Sequence, residues 1–477
     1  MVRLAIALGC VLAAHAAQAS PRSDPTTGRA VFTGATMPSP TSIMLDPAAI
    51  GIGPVDEIYL AGTLVVDQIH IAHQSLSLDG NLSNAGDVSQ TPLGPGGQVA
   101  ALWHFGRVTL GASFASPPSA RFPNADPIRY HVLGGSLRDY TVAIAASFKV
   151  TDDFYFGVSA ALDDIRLHLH YLRDTALEAG HGPRGVDSDC GGHACSVEDP
   201  AAAEKYDIQA SSLTPFSDYI VNLGLAVQIA PNVWLAAAYH TAPGLAIQSE
   251  LHGISEVTLS PRDGGQTLRG ESTVYVSLPA SADAELRARI AQGLDLHVGF
   301  RWEDMSRFTG FDVRSYGDSY FGTDVSEWME RARGLHDPFS LWAGVEQVDT
   351  GAPIVLFGAE LPLRFGARIG YETSSVDDSR ISPLTIAPAS ATLDVGVQYR
   401  HANTVLQLSY GLQYFFPVDV GPSAFDPRDR LTCIDSGFDY STAACASVRN
   451  GYAIPSAAGH YDRIEHAIRL GLVYEFP

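Results

Sequence analysis

The chain has 477 residues, of which only 17% are charged, and its 52 acidic residues outweigh 30 Lys and Arg to leave a formal charge of −22. This composition excludes a coiled coil, a collagen and a disordered chain, and its negative field would repel a phosphate backbone, so no nucleic-acid partner is expected. Beyond the first twenty residues no run of about 18 apolar residues occurs, so no helix can span a bilayer, whereas one large all-β barrel fits the length.

In chain order, Arg3, the apolar run Leu4 to Ala14 and the small-residue end Ala17-Gln18-Ala19 form the three regions of a secretory signal peptide, residues 1–19. A lipoprotein site at Cys10 is the alternative, but it leaves only Leu4 to Gly9 as the apolar region, short of the usual minimum of about 7 residues. Export to an oxidising compartment leaves Cys190, Cys195, Cys433 and Cys445, an even set that predicts local disulfides Cys190 to Cys195 and Cys433 to Cys445. His193 between the first pair suggests zinc as an alternative. No fourth ligand is visible, and no metal or cofactor is expected.

Residues 20–57 do not alternate, yet Phe32 to Pro38 and Thr41 to Gly51 are apolar enough to pack. They are read as a plug, or hatch, folded back into the lumen, with a periplasmic extension as the alternative. From residue 58 onward apolar and polar residues alternate in segment after segment, as on a pleated strand with two different solvents. Leu393, Val395, Val397 and Tyr399 oppose Asp394, Gly396, Gln398 and Arg400; Leu406 to Tyr414 and Leu294 to Trp302 repeat the split.

Strands are predicted near 58–71, 97–105, 107–115, 139–149, 153–172, 216–230, 232–249, 270–291, 294–302, 335–347, 361–371, 390–400, 403–416 and 460–476. A soluble sandwich also alternates. The connections favour a barrel, because long loops at 72–96, 116–138, 173–215, 250–269, 303–334, 372–389 and 417–459 take turns with short ones such as Gly106 and Gln292-Gly293. The fold class read from this is all-β: a 14-stranded antiparallel transmembrane β-barrel occupying 58–477, with an N-terminal hatch inside it. Trp103, Phe105, Phe148, Phe154, Trp234, Tyr474 and Phe476 lie near short turns, where an aromatic belt belongs.

Arg301, Glu303, Arg364, Arg368, Asp394, Arg400, Arg463, Glu465 and Arg469 fall on the lumen face, mostly as a ladder of compensating charges. Among them Arg301, Arg364 and Arg368 are candidate partners for a ligand carboxylate, since a guanidinium matches it bidentately. Excess acid over base also makes a neutral hydrocarbon or aromatic ligand credible. Pro117 and Pro118 follow the third strand after Phe114 and cannot donate ladder hydrogen bonds, so they mark either local unpairing or an ordinary strand stop.

Asp46-Pro47-Ala48-Ala49 resembles the Asn-Pro-Ala segment of the hatch in the FadL family of outer-membrane transporters for long-chain fatty acids and other hydrophobic compounds. Leu110 to Pro117, Phe154 to Ala160, Tyr275 to Pro279, Leu294 to Phe308, Leu363 to Tyr371 and Asp394 to Tyr399 resemble successive strand segments of that family, in order. Asp46 stands where the family usually has Asn, and Pro477 follows the aromatic residue that normally ends such barrels. The resemblance implies a Gram-negative outer-membrane protein that captures an apolar ligand between the third and fourth long loops. It further implies passage to a pocket above the hatch, and release sideways into membrane lipid at strand three.

A monomer with an apolar small-molecule ligand and lipid as partners is expected, and not an enzyme. The competing readings are a membrane-embedded hydrolase, a diffusion porin and an adhesin or phage receptor. No Gly-x-Ser-x-Gly elbow appears, and Ser159 with His168 or His170 follows no catalytic spacing.

Overall fold

The structure is a computed structural model, and it describes residues 30–76, 81–118, 120–174, 198, 203–212, 218–243, 249–261, 264–276, 278–307, 310–316, 327–332, 335–348, 354–356, 359–421, 441 and 456–476. The expected signal peptide and all four cysteines of the expected disulfides lie outside the described residues.

Fourteen long antiparallel strands close on themselves. They are β1 (Glu57–Leu76), β2 (Leu93–Phe105), β3 (Val108–Ser116), β4 (Gly135–Lys149), β5 (Phe154–Asp174), β6 (Asp218–Ala230) and β7 (Val233–His240), followed by β8 (Ser281–Ala291), β9 (Leu294–Glu303), β10 (Phe339–Gln347), β11 (Leu363–Glu372), β12 (Ser390–His401), β13 (Thr404–Val420) and β14 (Gly459–Glu475). Each pairs with its successor. β14 then returns to β1 in unbroken register from Glu57↔Glu475 to His73↔Gly459, so the ring has no free edge. A closed ring satisfies every wall amide internally, which an apolar solvent requires.

The apolar face points outward. Ile58, Leu60, Val99, Leu110, Ile144, Leu225, Ile369 and Leu470 are all exposed, the reverse of a sandwich, whose apolar faces meet in a core. No helix among the described residues is long and apolar enough to cross a membrane. At one end the strands join by short turns, except between β10 and β11, where residues 348–362 intervene. Gly106 supplies φ +65° there and Gly293 supplies +72°, a left-handed conformation that glycine adopts without a Cβ clash.

At the other end the wall extends beyond the fourteen strands. Leu82–Gln90, Ala203–Ser212, Ser249–Thr258, Gly310–Tyr316 and Glu327–Ala332 form ladders almost wholly inside segments expected to be loops, and Thr267–Val276 joins them. The expected single strands 232–249 and 270–291 are each divided. Pro243 and Pro279 stand at the two breaks and offer no amide to a ladder. Of the aromatic set near short turns, Trp103, Phe105, Phe148, Tyr474 and Phe476 are outward and exposed, and Phe154 is half-buried. Trp234 is a correction: Leu235 and Tyr239 take the outward positions of β7, so Trp234 turns inward, where its ring lies 6.0 Å from that of Tyr155.

Candidate functional site

The lumen has three levels. In its short-turn half sits the N-terminal segment, with the helical turn α1 (Ser42–Leu45) wholly buried. Asp46, Pro47 and Ala48 lie against Gly157 and Gly224, which face each other across β5 and β6. A Cβ at Gly157 would come within 2.1 Å of the Ala48 amide nitrogen, and one at Gly224 within 1.8 Å of an Asp46 oxygen. Only glycine permits that approach. A second bare patch, Gly366 and Gly396, receives Val31 and Phe32 in the same way.

Polar bonds fix the segment to the wall. The Phe32 amide donates to Glu346 at 2.7 Å, Thr36 donates through both its amide and its hydroxyl to Glu285, and Arg368 donates to the Thr33 carbonyl at 2.7 Å. Ser147 donates to the Ala48 carbonyl at 2.9 Å. His297 stands between the two gripping carboxylates, 3.3 Å from Glu285 and 3.6 Å from Glu346. The Asp46 carboxylate accepts the Ala48 amide at 2.8 Å through one oxygen, while its other oxygen is buried without a partner. Burial pushes this carboxyl well above the usual range, the Ala48 amide pulls it back, and Asp283 and Glu285 push it further up. Once protonated, it carries a donor as an amide would.

Above the segment runs a polar girdle. Asn222 donates to Ser159 at 2.7 Å, His240 bridges Asn222 at 3.0 Å and Asp283 at 3.1 Å, and Arg301 donates to Asp283 at 2.7 Å, so one chain of bonds crosses five strands. Opposite it, Arg463 bonds Asp67 at 2.9 Å and Glu465 at 3.4 Å, and Arg469 bonds Asp394 at 3.0 Å.

Above the girdle the lumen becomes apolar, because two long strands exchange the roles of their faces. On β5, Phe156 and Leu162 point out, but past Asp163 and Asp164 the apolar residues Ile165, Leu167, Leu169 and Tyr171 point in, while Arg166 points out. On β1 the change comes at Asp67: Leu60 and Leu64 face out, Ile69 and Ile71 face in. The register to the neighbouring strand β4 continues through the exchange, so sequence alone produces it.

These side chains meet two connecting segments folded into the mouth, through Ile128 and Val132 of one and Val376, Ile381 and Leu384 of the other. The Tyr171 and Tyr206 rings stack at 5.3 Å. Arg463 secures the second segment by donating to the Ile386 carbonyl at 2.9 Å. Such a lining suits apolar molecules, since each buried CH₂ contributes about 0.8 kcal/mol.

Asp46, Pro47 and Ala48, expected to form part of a hatch, lie against Gly157 and Gly224. Arg301, Arg364 and Arg368 do not form one cluster. Arg301 is bonded to Asp283; Arg368 faces Glu346 and the N-terminal segment; Arg364 occupies the short-turn end opposite Gln398 in register. None is among the residues of the apolar mouth. Ser159 is buried on the lumen side while His168 bonds Asp207 on the outer side, so no catalytic pair forms between them. No cluster able to hold a metal occurs among the described residues.

Phe114 faces outward and is exposed, and Pro117 and Pro118 are buried. The ladder between β3 and β4 stops at Ala115↔Thr141 and resumes at Ala120↔Leu137, with one residue more on the proline side. Gln98 lies beside this break with both amide atoms buried and unpaired. The glycine cradles, the face exchange and Gln98 went unread in the sequence. The first two were detectable as paired glycines on lumen-facing positions and as a change of parity at Asp67 and Asp163.

No curated protein sequence matches the chain. Among solved structures, a FadL homologue of Pseudomonas aeruginosa is similar over 97% of this chain and 100% of its own, at 15% identity and TM-score 0.72. The toluene transporter TodX of P. putida is similar over 96% and 98% at 14% identity and TM-score 0.62, and TbuX of Ralstonia pickettii, also a toluene transporter, over 96% and 98% at 17% identity and TM-score 0.57. At these identities the likeness concerns the fold. A family profile described as outer membrane protein transport protein (OMPP1/FadL/TodX) matches residues 6–420, so the chain belongs to this family of Gram-negative outer-membrane β-barrels that transport hydrophobic compounds.

Proposed function

We propose that the protein takes neutral or weakly polar hydrocarbon-rich molecules from outside the cell into the apolar mouth, holds them above the N-terminal segment, and releases them sideways into the membrane at the β3–β4 break. The observation that carries this reading is the inward apolar face past Asp67 and Asp163, stacked on a polar girdle. A porin gains nothing from such a face. Water would leave it, and ions would meet it as a barrier.

A neutral ligand is favoured over a carboxylate because the girdle guanidiniums already face acids: Arg301 has Asp283, Arg463 has Asp67 and Glu465, and Arg469 has Asp394. Bringing a second carboxylate to any of them displaces a buried ion-pair partner, which costs about 3–5 kcal/mol. A long-chain fatty acid remains the second reading, supported by the same apolar wall, against which an acyl chain would pack.

Solvent extraction of the purified protein followed by mass spectrometry is expected to recover neutral apolar molecules. Recovery of polar solutes only would defeat the proposal. Replacing both prolines, Pro117→Ala with Pro118→Ala, lets the ladder close across the break. Uptake into cells should fall severalfold while binding to detergent-purified protein stays unchanged; unchanged uptake would rule out release at this place.

A further inference from the structure

The face exchange that makes the mouth apolar also places charge on the outer wall. Outward residues of β4 run Phe148, Ile144, Val142, Tyr140 and then Arg138; those of β5 run from Phe156 and Leu162 to Arg166 and His168. Successive outward positions are about 7 Å apart along a strand. The charged residues therefore begin within one or two steps of the lipid-facing belt, at the level of the outer leaflet's headgroups.

Pairing gathers these charges. Arg138 stands opposite Arg166, and Arg121 stands opposite Ser136, which itself stands opposite His168. They line a groove of about 910 Å³ on the outer wall, with Asn124 and Gln209. Arg166 is paired with Asp164 at 2.7 Å and lies over the Tyr140 ring at 5.4 Å. The acids lining the groove are already engaged, Asp207 by His168 at 2.9 Å and Glu256 by Arg269 at 3.3 Å. Arg121 and Arg138 face no carboxylate among the described residues, and burial together with Arg138 holds the Arg121 guanidinium below its ordinary value. On a chain with net charge −22, two adjacent guanidiniums are a local concentration of positive charge that attracts an anion.

We propose that this groove binds the phosphorylated headgroup of an outer-leaflet glycolipid, with Arg121 and Arg138 gripping the phosphate and Arg166 and His168 flanking it. Guanidinium and phosphate match in charge and planar donor geometry. A lipid is favoured over free phosphate because its acyl chains would lie along Val142, Ile144 and Leu162 directly below, which turns phosphate capture into an intramolecular step. The bound lipid would border the β3–β4 break, so the site goes beyond the transport reading and does not depend on it.

The test uses the full-length protein in detergent and native mass spectrometry, with a bisphosphorylated acylated glucosamine disaccharide, its dephosphorylated counterpart and inorganic phosphate as probes. Wild type is expected to retain the phosphorylated lipid over the dephosphorylated one. Arg121→Gln with Arg138→Gln should weaken retention at least about tenfold, while Arg107→Gln with Lys149→Gln at the short-turn end leaves it intact. Arg121→Lys with Arg138→Lys, which keeps the charge and loses the fork, should fall between. Equal retention of both lipids, or equal loss in the two glutamine pairs, overturns the proposal. Inorganic phosphate binding as tightly as the lipid would assign the groove to a free anion and overturn it as well.

Discussion

The two halves of the lumen solve opposite problems with the same wall. The short-turn half is built around a fixed guest: bare glycines at 157, 224, 366 and 396 fit the N-terminal segment, and Glu285, Glu346 and Arg368 bond its backbone. The long-loop half is lined by Ile, Leu, Val and Tyr side chains that offer no directional bond. Specific, close contact suits a part that belongs to the protein. Undirected apolar contact suits visitors of varied shape. The difference teaches that permanence and permissiveness are written in the inward residues alone, while the outward residues of both halves follow the membrane.

The comparison breaks most visibly at the glycine cradle. Gly224→Val places atoms where an Asp46 oxygen now lies, a clash costing at least about 1–3 kcal/mol. The N-terminal segment should leave its seat, and planar-bilayer conductance should rise from near zero to a stable open level. A silent variant would mean that the segment does not seal the lumen.

A smaller effect is expected in the upper half. Leu169→Asp puts a carboxylate in the apolar mouth and should lower affinity for a hydrocarbon probe about tenfold or more, by equilibrium binding in detergent, with conductance still low. Unchanged binding would move the ligand site elsewhere.

The smallest effect is a pH dependence. The Asp46 carboxyl holds its proton more tightly when docked than when released, because burial raises it. Docking is therefore at full strength below the ordinary aspartate range and weakens as pH rises through the raised value. Protease access to the segment should increase with pH in wild type and stay flat in Asp46→Asn. Identical profiles would show that Asp46 keeps the same protonation in both states.

Much of the barrel was legible because its alternation has a simple cause: lipid outside, polar lumen inside. Leu393 to Tyr399 and Leu406 to Tyr414 are found as read. The wall extensions, such as Ala203–Ser212 and Ser249–Thr258, were hidden because beyond the girdle neither face meets lipid and the apolar residues change sides. A reader who expects apolar to mean outward sees loop there. Asp46, Pro47 and Ala48 could be placed in the lumen from composition and resemblance. Their seat could not, because a glycine chosen for an approaching neighbour looks, in sequence, like one chosen for a turn. The lumen arginines were visible as a set, but their partners Asp283, Glu346 and Asp67 come from other strands, and pairing is a property of register.

The seam between β1 and β14 joins the two most distant strands of the chain, and its pairing has the largest loop-closure entropy to overcome. Chain entropy by itself would make it the last ladder to zip. In that order residues 30–52, which adjoin β1, would reach their cradle on β5 and β6 while the cylinder is still an open sheet. Construction order thus works like a ship assembled in a half-finished bottle: the stopper is loaded sideways, and the glass is sealed around it.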